Sequence, residues 1–268
     1  MNPLRLASRL LVLAALAAPA PAQFTQFNWV LHDQDGGFGN LSADHMGLHG
    51  LFAAFPGSVV AYTTQSAVAG RVSVHALVMP EDGVCGGSQA QYLVDGQAST
   101  FATCNFGGDL VFDVAEGQEF GFALQTFDTA WPFSVDLTHF GFLPCWRNLG
   151  GALAGGAGTP ALAGTGIVKA GEAVGLHLSS AAPSAATTLV VGLHLLALPF
   201  KGGVLLPAPD LVLPGLATDA AGELHLPAVV PAGLDGSSLL LQAWIADAAG
   251  PAGLAASNGL LVTVLDWA

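Results

Sequence analysis

Residues 70–79 read Gly-Arg-Val-Ser-Val-His-Ala-Leu-Val-Met, and this stretch decides the fold class. Val72, Val74 and Ala76 fall on one face, and Ser73 and His75 fall on the other. A period of two is the pattern of a half-buried strand. The stretches "DLVFDVAEG" (109–117) and "EFGFALQTF" (119–127) alternate in the same way. Gly and Asp-Gly clusters interrupt the chain roughly every 8–12 residues, as in sandwiches and jelly rolls. Asp95-Gly96 separates "AQYLV" from "QASTFAT" and is a two-residue hairpin signal.

Further along, strands are expected near 163–169, 173–179, 187–197, 203–206, 222–226, 237–246 and 259–265. The prolines fall mostly at their ends, where a missing N–H is tolerated. The expected class is therefore all-β: an N-terminal jelly-roll-like β-sandwich followed by a smaller Ig-like β-sandwich.

Composition narrows the function. The chain has 268 residues, 52% hydrophobic and 9% charged, which is too apolar for a disordered chain. Six Lys+Arg against 19 Asp+Glu give a formal charge of −13. Nucleic-acid binding needs a basic face that this balance cannot supply, and anionic lipid is disfavoured likewise.

Residues 1–22 carry Arg5 and Arg9, an apolar run from Leu10 to Ala18, and Ala20-Pro21-Ala22 before Gln23. That is the three-part pattern of a secretory signal peptide, and its core is too short to span a bilayer. The expected mature chain, 23–268, is secreted, either extracellular or in the cell envelope, with no transmembrane segment. It keeps four bases (Arg71, Arg147, Lys169 and Lys201) against all 19 acids, a formal charge of −15. All but one of the 15 Phe lie between Phe24 and Phe142. The following half is rich in Ala, Gly, Leu and Pro. The expected plan is a jelly-roll-like sandwich at 23–143, a Gly-rich connector at 144–160 and an Ig-like sandwich at 161–268.

Two resemblances fit this plan. Residues 24–142 resemble a jelly-roll-like domain of exported bacterial proteins. The matching pieces are "SADHMGLHG", "AVAGRVSVHALV", "QAQYLVDGQ", "VAEGQEFGFALQTFD" and "VDLTHFGF". Gly117, Phe120, Gly121, Phe122 and Asp128 make the sharpest match. Residues 145–265 resemble a recurrent C-terminal β domain of exported planctomycete-type proteins, through "WRNLGGALAG", "GTPALAGTG", "LPFKGGVLLPAPD", "DGSSLLLQAWIADAAG" and "ASNGLL". The resemblances imply export, β architecture and two domains. They supply no catalytic residue. Asp247 and Ser257-Asn258 belong to the second pattern and read as loop-fixing groups.

In an exported chain, Cys85 and Cys104 flank the Asp95-Gly96 hairpin almost symmetrically and are the expected disulfide. A plain two-residue turn would set Cys85 opposite Phe106, so the bridge requires a bulge or a longer loop. Cys145 is left as a buried thiol, a thiol under Trp146, or a link between chains.

Asp33, Asp35 and Asn40, in "DQDGGFGN", are the candidate metal ligands, with Ca²⁺ as the ion. Glu81, Asp82 and Asp128 could complete such a site. The competing reading is an Asx-type turn. His45 and His49 have an HxxxH spacing. On the expected strand they lie about 13 Å apart, too far for one metal. Among Trp29, Tyr62, Tyr92, Trp131 and Trp146, the candidates for stacking on a sugar are Trp131 and Tyr92, against core filling for the set. Ser88 lacks a nucleophile elbow, and neither a P-loop nor a dinucleotide fingerprint occurs.

The expectation is a non-enzymatic structural or adhesive protein of the cell envelope or extracellular matrix. Its partner would be an envelope or matrix protein or a glycan, and self-association is open to it. The alternative is a carbohydrate-binding module, with or without calcium.

Overall fold

The computed structural model describes residues 23–34, 37–50, 58–80, 88–127 and 133–266. The expected signal peptide, Asp35, Cys85, Glu81, Asp82, Asp128 and Trp131 lie outside them. Among the described residues there is no α-helix, only two single-turn 3₁₀ segments, and no helix is long and apolar enough to cross a membrane. The chain is all-β and divides into two compact units between Leu143 and Pro144.

The first unit has ten strands: β1 (Val30–Gln34), β2 (Phe38–Leu41), β3 (His45–Gly50), β4 (Ser58–Gln65), β5 (Gly70–Pro80), β6 (Ser88–Val94), β7 (Gln97–Ala102), β8 (Phe106–Val114), β9 (Glu119–Thr126) and β10 (Phe133–Pro144). Their pairing is nested: β6 with β7, β5 with β8, β4 with β9, and β3 with β10. Such a nested hairpin, rolled so that alternate pairs fall in opposite sheets, is a jelly roll. The sheets run β1-β4-β9-β6-β7 and β2-β3-β10-β5-β8.

The innermost turn is Asp95-Gly96, with φ of +48° and +72°. Both residues are left-handed, as a two-residue turn matched to strand twist requires. The Asp95 carboxylate accepts the Glu119 N–H at 3.1 Å and the Gln118 amide at 2.9 Å, fastening the turn to β9.

The alternation of 70–79 becomes the core. Val72, Val74, Ala76 and Val78 are buried, opposite Phe112 and Leu110 in register. Arg71, on the other face, is fixed by a forked pair to Asp113 at 2.7 and 3.2 Å. Trp29 and Tyr62 fill the interior. Trp29 meets Phe120 edge-on at 5.5 Å, and its indole N–H donates to the Phe24 carbonyl at 2.7 Å. Edge-on ring pairs of this kind add about 0.5–1.5 kcal/mol each beyond their buried area.

The second unit contains β11 (Trp146–Asn148), β12 (Ala161–Thr165), β13 (Ala173–Ser179), β14 (Ala186–Gly192), β15 (Leu195–Phe200), β16 (Gly203–Pro207), β17 (Leu211–Ala217), β18 (Leu224–Val229), β19 (Ser238–Ala246), β20 (Leu254–Ala256) and β21 (Leu260–Thr263). One sheet runs β11-β21-β19-β14-β17, with β20 also on β19. A second runs β12-β13-β18, and β15–β16 is a separate hairpin. Leu162, Leu176, Leu178, Leu224 and Leu226 of the three-stranded sheet face Leu189, Leu216 and Ala243 of the larger one. The void between them, about 10 Å³, is no larger than roughly one water.

Three expectations are corrected here. The 144–160 segment is not a connector but the first part of the second unit. Trp146 is buried, its indole donates to the Gly166 carbonyl at 2.9 Å, and Leu153 exchanges backbone hydrogen bonds with Ala256. The glycines there give close approach: a Cβ on Gly155 would lie 2.0 Å from the Asp247 carboxylate. The span 187–197 is two strands, broken at Leu193-His194. The strand at 211–217 was not expected, because Pro214 and Gly215 interrupt its pattern. They are accommodated where the β14–β17 register shifts between Thr187 and Leu189.

Buried amides hold the loops of this unit. Gln242, fully buried, accepts the Leu206 N–H and donates to the Val204 and Ser257 carbonyls at 3.0–3.1 Å. Asn258 exchanges two hydrogen bonds with Leu162, at 2.8 and 3.0 Å. Asp247 accepts the Gly156 and Ala249 N–H groups.

Candidate functional site

The Asp33–Asn40 stretch is mostly strand, not loop. Asp33 lies in β1 and Asn40 in β2, which belong to different sheets. The Asp33 Oδ1 accepts the N–H of Gly37, four residues on, at 3.1 Å. Gly39 does not bend a loop. It lets β2 lie against the Tyr62 ring, which a Cβ would approach to 2.6 Å. Asn40 covers Gly47 across the strand pair instead. Asp35 is outside the described residues.

Tyr92 is half-buried and packed on the core, one ring face stacked on Phe112 at 4.7 Å. That face is closed to a sugar, so stacking on one would have to use the other face. Trp131 is outside the described residues. Tyr62 is buried among apolar groups, and desolvation raises its pKa above 10.0. His45 and His49 do lie on a strand. His45 bonds Asp136 at 3.0 Å, and His49 stacks on Phe38 at 4.5 Å. Cys145 is a buried thiol whose Sγ accepts the Val168 N–H at 3.4 Å. Cys104 lies between β7 and β8, and its expected partner, Cys85, is outside the described residues.

The tightest grouping of ligand-type side chains among the described residues is His177, Glu223 and His225. Nothing in the spacing of these residues along the chain marks them as a group. His177 is in β13 and His225 in β18, directly opposite in antiparallel register. Each stands between two leucines, Leu176 and Leu178 or Leu224 and Leu226, that line the interior. Strand alternation therefore puts both imidazoles on the outer face. Their rings stack at 4.1 Å with 10° between planes. Glu223 ends the β17–β18 turn, with Oε2 3.8 Å from His177 Nε2 and 3.6 Å from His225 Nε2.

Asp219 builds that turn by accepting the Ala221 and Glu223 N–H groups at 2.8 and 2.9 Å. The Glu223 N–H first, then the Ala221 N–H and the nearby His225, hold its carboxyl below the ordinary 3.8. The tripeptide Leu-His-Leu occurs three times, at 176–178, 193–195 and 224–226. Only the register reveals that the first and the third meet.

Two surface features complete the candidates. In β17, residues 211–215 are exposed on both faces, with Leu211, Val212 and Leu213 at 50, 47 and 39% exposure. The strand pairs with β14 on one side and is the last of its sheet. In the first unit, a groove of about 490 Å³ beside β4 is lined by Gln26, Phe27, Asn28, Thr63, Thr64 and Gln65 among others.

These features belong to an all-β protein of two sandwiches. No protein-family profile matches the sequence. No curated protein matches it either. Among solved structures, the adhesin domain of Epf from Streptococcus pyogenes is similar at 8% identity and a TM-score of 0.34, over 87% of this chain and 80% of that one. A Paenibacillus xanthan lyase is similar at 10% identity and a TM-score of 0.28, over 94% of this chain and 27% of that one. Red sea bream transglutaminase gives 10% identity and a TM-score of 0.23, over 92% and 32%.

Proposed function

We propose that the chain is an exported, non-catalytic structural or adhesive protein of the cell envelope or extracellular matrix, acting through surface contact. The observation that carries this reading is the apolar edge strand β17. A strand in a sandwich normally buries one face, but residues 211–215 bury neither. Soluble proteins blunt such edges with charge, because unpaired N–H and C=O groups beside apolar side chains recruit another strand. Pro214, with the register shift beside it, is the blunting device here, and the three residues before it are Leu211, Val212 and Leu213. The edge is suited to strand addition by a second copy or by an envelope protein.

Sedimentation velocity on wild type and Val212→Lys tests this. Wild type should associate with rising concentration, or be retained on isolated envelopes, and the lysine variant should do neither. A wild type that stays monomeric and binds envelopes no better than the variant would overturn the reading.

The groove beside β4 favours a second reading, as a carbohydrate-binding module. Its lining of amide and hydroxyl side chains beside Phe27 suits neutral sugar hydroxyls. Calorimetric titration with glycans, in calcium and in EDTA, is its test, and Gln65→Ala should weaken any binding seen.

A further inference from the structure

We propose that His177, His225 and Glu223 form a site for a divalent transition-metal ion of the zinc class on the outer face of the three-stranded sheet. This goes beyond the surface-contact reading and does not depend on it.

The argument begins with register. Residues directly opposite in an antiparallel pair have Cβ atoms about 4.5–5.5 Å apart. His177 and His225 are such a pair, so two imidazoles rise side by side from one spot on the sheet. The neighbouring leucines are anchored inward, so neither histidine can turn to the interior without losing its strand's packing. Glu223 enters from the turn, and its carboxylate lies against both rings.

The contacts inside the cluster are too long to satisfy it. At 3.6 and 3.8 Å, the histidine–carboxylate separations exceed hydrogen-bonding distance. His177 Nε2 is buried and has no hydrogen-bond partner. A buried, unsatisfied imidazole nitrogen costs free energy unless something fills its lone-pair direction. All three donor atoms lie within 4.8 Å of one another. Tetrahedral zinc, with bonds of about 2.0–2.1 Å, needs its ligand atoms about 3.3 Å apart. Closing the difference takes side-chain displacements of roughly 1.5 Å in half-exposed groups.

The donor set selects the ion. Two imidazoles and one carboxylate suit Zn²⁺, Cu²⁺ or Ni²⁺ and are too nitrogen-rich for Ca²⁺ or Mg²⁺. Asp219 is the positioning residue: by holding the Glu223 N–H it sets where the carboxylate starts. Three protein ligands leave a fourth position for water or for a donor from another molecule. Among the described residues, the His45–Asp136 contact offers one imidazole and serves as the control.

The test is zinc titration of the full, untagged, EDTA-stripped protein by calorimetry, with Co²⁺ absorption as a second readout. The expected result is one ion per chain, a raised melting temperature, and the intense visible bands of tetrahedral cobalt. His177→Ala and His225→Ala should each weaken binding at least tenfold, Glu223→Gln should weaken it less, and His45→Ala should leave it unchanged. Because the ligands are on the outer face, the variants should melt with wild type in EDTA. Should one not, Glu223→Gln and His225→Gln carry the comparison. Absence of saturable zinc binding, or binding equally strong in both alanine variants, would overturn the proposal.

Discussion

At the scale of single residues, glycine does two different jobs in the first unit. Gly96 supplies a left-handed φ in the β6–β7 turn. Gly39 supplies absence of volume, since a Cβ there would stand 2.6–2.9 Å from the Tyr62 ring. Tyr62 is buried, so its ring must give way inside the core. Gly39→Ala should therefore destabilise the unit by about 1–3 kcal/mol, as overpacked cores do. Gly107→Ala, whose Cβ would sit 3.7 Å from Leu77, should cost far less. Urea denaturation of the two variants checks this, and equal midpoints would refute it. The contrast bears on how "DQDGGFGN" reads as sequence. Acids and glycines together suggest a cation loop or a turn. Glycine chosen for close approach looks the same until the opposing Tyr62 is known.

At the scale of elements, periodicity was legible and pairing was not. The alternation in β5, β8 and β9 and the Asp95-Gly96 turn could be read directly, because each depends on neighbours in the chain. The meeting of His177 with His225 could not, because it depends on the register of β13 against β18. The second unit's opening segment was obscured by its glycines, which read as a linker but pack against Asp247, and by Trp146, whose burial is tertiary.

Two predictions belong to this level. The β17–β18 turn rests on Asp219, whose carboxyl pKa is lowered in the folded protein. Folding thus favours its charged form. That contribution is complete above the unfolded value of about 3.9 and fades as pH falls through the lower folded value. Melting curves for wild type and Asp219→Asn should differ at pH 6 and converge in acid, whereas parallel curves would show that the turn does not depend on the charge. The β6–β7 hairpin carries the second. Its register shifts between Ala90 and Gln91, with Phe101 the extra residue on β7, and the expected Cys85–Cys104 bridge would close the chain around it. Closing about 20 residues should stabilise the fold by roughly 3 kcal/mol. Mild reduction should lower the melting temperature by several degrees, and Cys104→Ser should abolish the response. Non-reducing peptide mapping would show the link directly.

At the scale of the whole molecule, charge and apolar surface oppose one another. A formal charge of −13 makes copies of the chain repel. In the proposed role, the apolar edge at Leu211, Val212 and Leu213 would draw chains together, as would Val229 at 64% exposure on the edge strand β18. The two forces respond differently to salt. Repulsion between exposed charges is screened as the Debye length falls from about 30 Å at 0.01 M to about 8 Å at 0.15 M, while burial of apolar surface is not weakened. Association through the edge strand should therefore strengthen as salt is added. An assembly held by ion pairs between chains would weaken over the same range. Sedimentation at the two ionic strengths separates the cases: the weight-average mass of wild type should rise with salt, and that of Val212→Lys should not. A mass that falls with salt would place the contact among the acidic loops of the first unit and move the search for a partner to a cationic one.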